Sequence, residues 1–123
     1  MENKVIELLD EVTKLLTEKG WTQGFYARNK NGAPTDCRSD SACSFCLHGA
    51  LMAADEKRPD DKRAEAGYRL HRALGDVLSG GDLVAYLDGH VDIVSFNDAP
   101  GRTKEEVLDL IERAKKLEAE SGD

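Results

Sequence analysis

The sequence predicts an α+β protein that is mainly helical, with four or five helices and a small β-hairpin after the first helix. Three observations lead there. Apolar residues recur at three- and four-residue steps near both ends of the chain. A Thr-, Gly- and aromatic-containing stretch from Trp21 to Asp36 interrupts that rhythm. Aromatic residues make up only 6% of the 123 residues, so aliphatic side chains on helix faces must build most of the core. The length suits one compact domain over residues 1–123, with 118–123 as a frayed tail. A domain of this size buries roughly two-thirds of the surface its unfolded chain exposes.

The first helix is expected from Glu2 to Lys19, where Val5, Leu8, Leu9, Val12, Leu15 and Leu16 form one apolar stripe. Gly20 reads as its C-cap, and Lys19 in the last turn complements the helix dipole. In WTQGFYARNKNGAPTD, Asn29-Lys30-Asn31-Gly32 suits a tight turn with Gly32 or Asn31 at positive φ, which makes the segment a hairpin. Pro34 has no N–H to give a ladder, so its strand is brief or at an edge. Asp40 or Ser41 can then cap a second helix from about Ala42 to Asp55.

A third helix is expected from about Asp61 to Leu78, carrying Ala64, Tyr68, Leu70, His71, Leu74 and Val77, although Gly67 and Gly75 weaken it. Ser79-Gly80-Gly81-Asp82 reads as a flexible break. LVAYLDGHVDIVSF after it is apolar enough for burial but ambiguous between helix and strand, and we expect one short helix and one brief strand or turn. Asn97-Asp98-Ala99-Pro100-Gly101 stops the chain. Thr103 with Glu106 forms a capping box for a last helix whose core face is Val107, Leu110, Ile111, Ala114 and Leu117.

Charge narrows the partners. A formal net charge of −7, spread along the chain, disfavours direct binding to a nucleic-acid backbone or an anionic membrane. The expected partner is an unidentified protein or small-molecule ligand, basic partners being easier, and no cofactor is called for. No stretch approaches the ~20 apolar residues of a membrane span, and the first residues lack a signal peptide's apolar run, so a cytoplasmic location is expected. Three cysteines cannot all be paired within one chain, which in a reducing compartment points to thiols or metal rather than bridges.

Chemistry concentrates between Asp36 and Ala54, which holds all three cysteines and one of the three histidines. Cys37, Cys43, Cys46 and His48 are a soft donor set that would suit zinc. Within one helix, however, His48 would point about 200° away from Cys46. Cys46 near a helix N-terminus has a rationale as a nucleophile, with His90 as base, or else His48 or His71, and Asn97 or Asp98 orienting the imidazole. Against that, Cys46, Gly49, Ala50 and Ala53 share one helix face, as a tightly packed structural helix would. The turn at 97–103 reads first as a local cap. Its functional version gathers Asn97, Asp98 and Arg102 beside Trp21 and Gln23 in a polar pocket, with Arg102 clasping a carboxylate or phosphate.

WTQG at 21–24, ARNKNG at 27–32, CLHGAL at 46–51 and FNDAPGRTKEEV at 96–107 resemble, in order and spacing, a family of small uncharacterised proteins of actinobacteria and their phages. The shared motifs are Trp-Thr-Gln-Gly, Cys-x-x-Gly-Ala and Asn-Asp-x-Pro-Gly-Arg-Thr. They bring forward Trp21, Gln23, Cys46, Gly49, Ala50, Asn97, Asp98 and Arg102. Cys37 and Cys43 fall outside the pattern, and Phe96 stands where the family usually has Trp. The resemblance implies no activity.

The reading that follows is a small cytosolic binding or regulatory module, of phage or prophage origin on the resemblance alone. The alternative is a cysteine-dependent hydrolase or transferase using Cys46, and the third a structural zinc protein. Phosphate-binding loops, dinucleotide fingerprints, H-E-x-x-H and calcium loops are absent from the sequence.

Overall fold

The computed structural model describes residues 4–56, 66, 70 and 93–121. Helix α1 (Lys4–Glu18) buries Val5, Leu8, Leu9, Val12, Leu15 and Leu16, the whole predicted stripe. Each such side chain taken out of water stabilises the fold by roughly 1.5–3 kcal/mol. At the end of α1 the N–H groups of Lys19 and Gly20 both reach the Leu15 carbonyl, at 3.0 and 3.3 Å. Gly20 then turns the chain at φ 147°, a value that suits glycine.

The turn after α1 forms where the sequence places it. Asn29 N–H donates to the Ala33 carbonyl at 2.8 Å and Gly32 N–H to the Asn29 carbonyl at 2.9 Å. The Asn29 side-chain oxygen accepts from the N–H groups of Asn31 and Ala33, and Gly32 takes the positive φ, 84°. The returning chain makes one bridge, Arg28 to Pro34. β1 (Ala27–Arg28) takes its antiparallel partner elsewhere, from β2 (Ser44–Phe45), with Ala27 opposite Phe45 and Arg28 opposite Ser44.

That pairing corrects the expected start of the second helix. Phe45 exchanges backbone bonds with the chain leaving α1: its N–H donates to Gly20 O at 3.0 Å, and its carbonyl accepts from Thr22 N–H at 2.9 Å. Residues held in a ladder cannot also be helical, so α2 (Leu47–Glu56) begins five residues after Ala42. Neither Asp40 nor Ser41 caps it. Asp36 and Ser39 instead hold the preceding turns, accepting from Arg38 N–H at 2.8 Å and Ser41 N–H at 3.1 Å.

Helix α3 (Ile93–Asp98) settles residues 93–96 as helix and buries Ile93, Phe96 and Asn97 on one face. Asn97 and Asp98 are therefore its last two residues, where the sequence suggested an open turn. Gly101, at φ 80°, leads into α4 (Lys104–Ser121). The capping box forms as expected: Thr103 N–H donates to Glu106 Oε1 at 3.0 Å and Glu106 N–H to Thr103 Oγ1 at 3.2 Å. Val107, Leu110, Ile111 and Ala114 are buried, with Leu117 packed against the core. α4 continues to Ser121, through residues assigned to the tail, and Glu118 is buried.

α1 packs against α2 and α4, and α2 against α3, so the described core lies between α1 and the other helices. Ala66 and Leu70, the two described residues of the expected third helix, are helical and fully buried. The rest of that helix, the 79–82 break, residues 83–92, His71 and His90 lie outside the described residues. Among the described residues no helix is long and apolar enough to cross a membrane.

Candidate functional site

The first turn of a helix leaves backbone N–H groups without intrahelical partners, and at α2 the chain answers those of Cys46, Leu47 and Gly49 with particular atoms. Cys46 is the N-cap. Its carbonyl accepts the first helical bond from Ala50 N–H at 2.9 Å, and its Sγ accepts the N–H of Gly49, three residues on, at 3.3 Å. Leu47 N–H donates to Asn97 Oδ1 at 3.0 Å. Cys46 N–H in turn donates to the Tyr26 carbonyl at 3.1 Å. Only glycine fits at position 49, because a Cβ there would collide with the Tyr26 carbonyl.

Asn97, fully buried, joins this cap to the chain after α1. Its Oδ1 accepts from both Leu47 N–H and the Trp21 indole N–H, the latter at 2.6 Å. Its Nδ2 donates to the Thr22 carbonyl and to Asp98 Oδ1, each at 3.0 Å. Two lone pairs and two N–H groups exhaust what a carboxamide has. Gln23 Nε2 donates to the carbonyls of Asn97 and Ala99, at 2.9 and 3.0 Å, and Gly24 N–H to Asp98 Oδ1 at 3.0 Å. Residues 21–24 are thus fastened to the end of α3 through Trp21, Gln23, Asn97 and Asp98.

The functional version of the 97–103 turn puts Arg102 in the same pocket, whereas in the structure its guanidinium serves the local turn. Arg102 Nε donates to the Phe96 carbonyl at 2.8 Å, the guanidinium lies 3.8 Å from the Phe96 ring centroid, and Nη1 is 3.5 Å from Glu106 Oε2. The fork closes the α3–α4 turn. It lines a separate cleft of about 290 Å³ with Phe96, Glu105, Glu106, Asp109 and Leu110.

Cys46 is 3% exposed. Burial pushes its thiol above the ordinary range, the Gly49 and His48 amides pull the other way, and Asp98 and Cys37 push it up further. In the first turn of α2, Gly49 N–H is engaged by Cys46 Sγ and Leu47 N–H by Asn97, which takes up two donors a nucleophile there would offer an oxyanion. Cys37 is buried and Cys43 exposed. The His48 ring packs against Tyr26, centroids 5.2 Å apart. Among the described residues no three His, Cys, Asp or Glu side chains converge as metal ligands.

A cleft of about 250 Å³ opens beside the cap, lined by Gly24, Phe25, Tyr26, Cys46, Val94 and Asp98. Phe25 and Tyr26 are 47% and 48% exposed, the exposed large hydrophobic residues of the described chain. They stay out because residues 23–26 bend instead of forming a strand, which would have turned one of the two inward. Arg28 fixes the bend: Nε donates to Thr22 Oγ1 at 2.7 Å, Nη1 to Gly32 O at 2.9 Å and Nη2 to Gln23 O at 3.0 Å, and its guanidinium lies 4.7 Å from the Phe25 ring centroid. Sequence reasoning passed over Phe25, Tyr26 and Val94; two adjacent aromatics straight after a glycine were the available signal.

No curated protein and no solved structure matches the chain. The model of a family of unknown function, DUF6197, matches residues 1–117. That match takes in α1, both strands, α2, α3 and most of α4, and the chain belongs to DUF6197.

Proposed function

We propose that this protein is a small non-enzymatic binding module whose ligand enters the cleft between Phe25, Tyr26 and Asp98. The observation that carries the reading is the pair of half-exposed aromatic rings on a backbone pinned by Arg28, Asn97 and Asp98. Exposed aromatic side chains on a rigid support supply contact area at little entropic cost. Trp21, Gln23 and Asn97 act in this reading as the brace of the cleft, with their polar atoms turned to the protein itself. Indole is a suitable probe: titrated into 15N-labelled protein, it should shift the amide signals of Gly24, Phe25, Tyr26 and Val94 and lose that effect in Phe25→Ser. Shifts scattered over the surface, or unchanged in the variant, would refute the assignment.

A cysteine-dependent hydrolase or transferase is the second reading, favoured by one observation, that Cys46 lines the same cleft. The burial that raises the thiol and the capping role of Sγ weigh against it. A phage or prophage origin is supported by the motif resemblance and tested by gene context: neighbouring capsid or tail genes would agree, and a metabolic operon would not.

A further inference from the structure

We infer that the cleft of Phe25, Tyr26 and Asp98 takes a small organic ammonium ion, which its aromatic rings and its carboxylate attract together. The inference rests on the binding reading above and names the ligand class for the same site.

Three features of the cleft point to a cation. Asp98 is an acidic side chain in its lining. Both hydrogen bonds that Asp98 accepts among the described residues fall on Oδ1, from Gly24 N–H and Asn97 Nδ2, which leaves Oδ2 for an outside donor or charge. Phe25 and Tyr26 line it, and a cation over the face of an aromatic ring within about 6 Å of its centroid is drawn to it. Phe25 already holds one such group, the Arg28 guanidinium at 4.7 Å, which is tied to Thr22, Gln23 and Gly32 and takes no part in the cleft lining.

Size and charge narrow the class. At about 250 Å³ the cleft lies below the roughly 300–1,000 Å³ of sites for drug-sized ligands, so it suits a compact head group. A net charge of −7 raises the local concentration of cations and repels anions. The apolar part of the lining, Val94 and the two rings, favours an ammonium ion carrying methyl groups over a strongly hydrated metal ion.

Choline and its uncharged isostere 3,3-dimethyl-1-butanol separate charge from shape. Each is titrated into the 15N-labelled full chain while the amides of Gly24, Phe25, Tyr26 and Val94 are followed. Choline should bind about tenfold more tightly than the isostere. Asp98→Asn keeps a side-chain oxygen for Gly24 N–H and Asn97 Nδ2 while removing the charge, so it should fold and lose the preference. Tyr26→Leu, at a half-exposed position, should weaken choline more than the isostere. Equal affinity for the two probes, a preference that survives Asp98→Asn, or no choline shift at these amides overturns the ammonium inference. Indole binding at the same amides would leave the binding reading standing in each of those cases, and its failure would remove both.

Discussion

The indole N–H of Trp21 donates to the carboxamide oxygen of Asn97 across 76 positions of sequence. The same oxygen caps the first amide of α2. One buried side chain thereby fixes three segments: the chain leaving α1, the N-terminus of α2 and the end of α3. Networks of this kind are costly when broken, because each partner is left without water as well as without its bond.

Asn97→Ala strands the Trp21 and Leu47 donors and the Thr22 acceptor, and should lower stability by about 3 kcal/mol. Urea unfolding followed by Trp21 fluorescence measures this. Asn97→Asp retains an acceptor but offers Thr22 O no donor, and should also destabilise, whereas a catalytic or ligand-binding Asn97 would lose function at unchanged stability.

Gly49→Ala sets a methyl group against the Tyr26 carbonyl, and backbone on both sides leaves no flexible tip to give way. A loss of about 3 kcal/mol is expected, at the upper end of overpacking costs. Ala50→Gly, one residue along the same face, should cost only about 1 kcal/mol through helix propensity. Thermal unfolding of the two variants side by side distinguishes collision from propensity.

Much of this architecture is legible in the sequence because it depends on local periodicity. The α1 stripe, the α4 capping box and the turn at Asn29–Gly32 follow from spacing and from what Gly and Asn permit. The start of α2 is not legible there because Ser44 and Phe45 pair with Arg28 and Ala27, 16 and 18 positions earlier, a tertiary choice that no local window contains. Asn97 stood out by motif, yet its role required knowing that Trp21, Thr22 and Leu47 meet it. Arg102 went to Phe96 and Glu106 because the helical path of α3 brings the Phe96 carbonyl within its reach. Phe25 and Tyr26 were missed because a hairpin reading would have buried one of them.

The Cys46 thiol is raised in the folded protein, first by burial. Between the unfolded and folded values the native state holds the extra proton, so stability falls as pH rises. Its contribution is fully present below the ordinary thiol value of 9.0 and is lost as pH climbs toward the folded value. Unfolding free energy measured from pH 7 to 10.5 should therefore fall more steeply for the wild type than for Cys46→Ser, whose hydroxyl still caps α2. Parallel profiles would show that burial of this thiol does not govern the alkaline limb.

Native-state thiol labelling at neutral pH, resolved by peptide mass, addresses the central claim that Cys46 is part of the architecture beside a binding cleft. Cys43, exposed, should react within the mixing time of an ordinary maleimide, while Cys46 should react only as the protein opens, and at a rate that rises with urea. Labelling of Cys46 in the folded protein as fast as Cys43 or faster would contradict the account and return the cleft to catalysis.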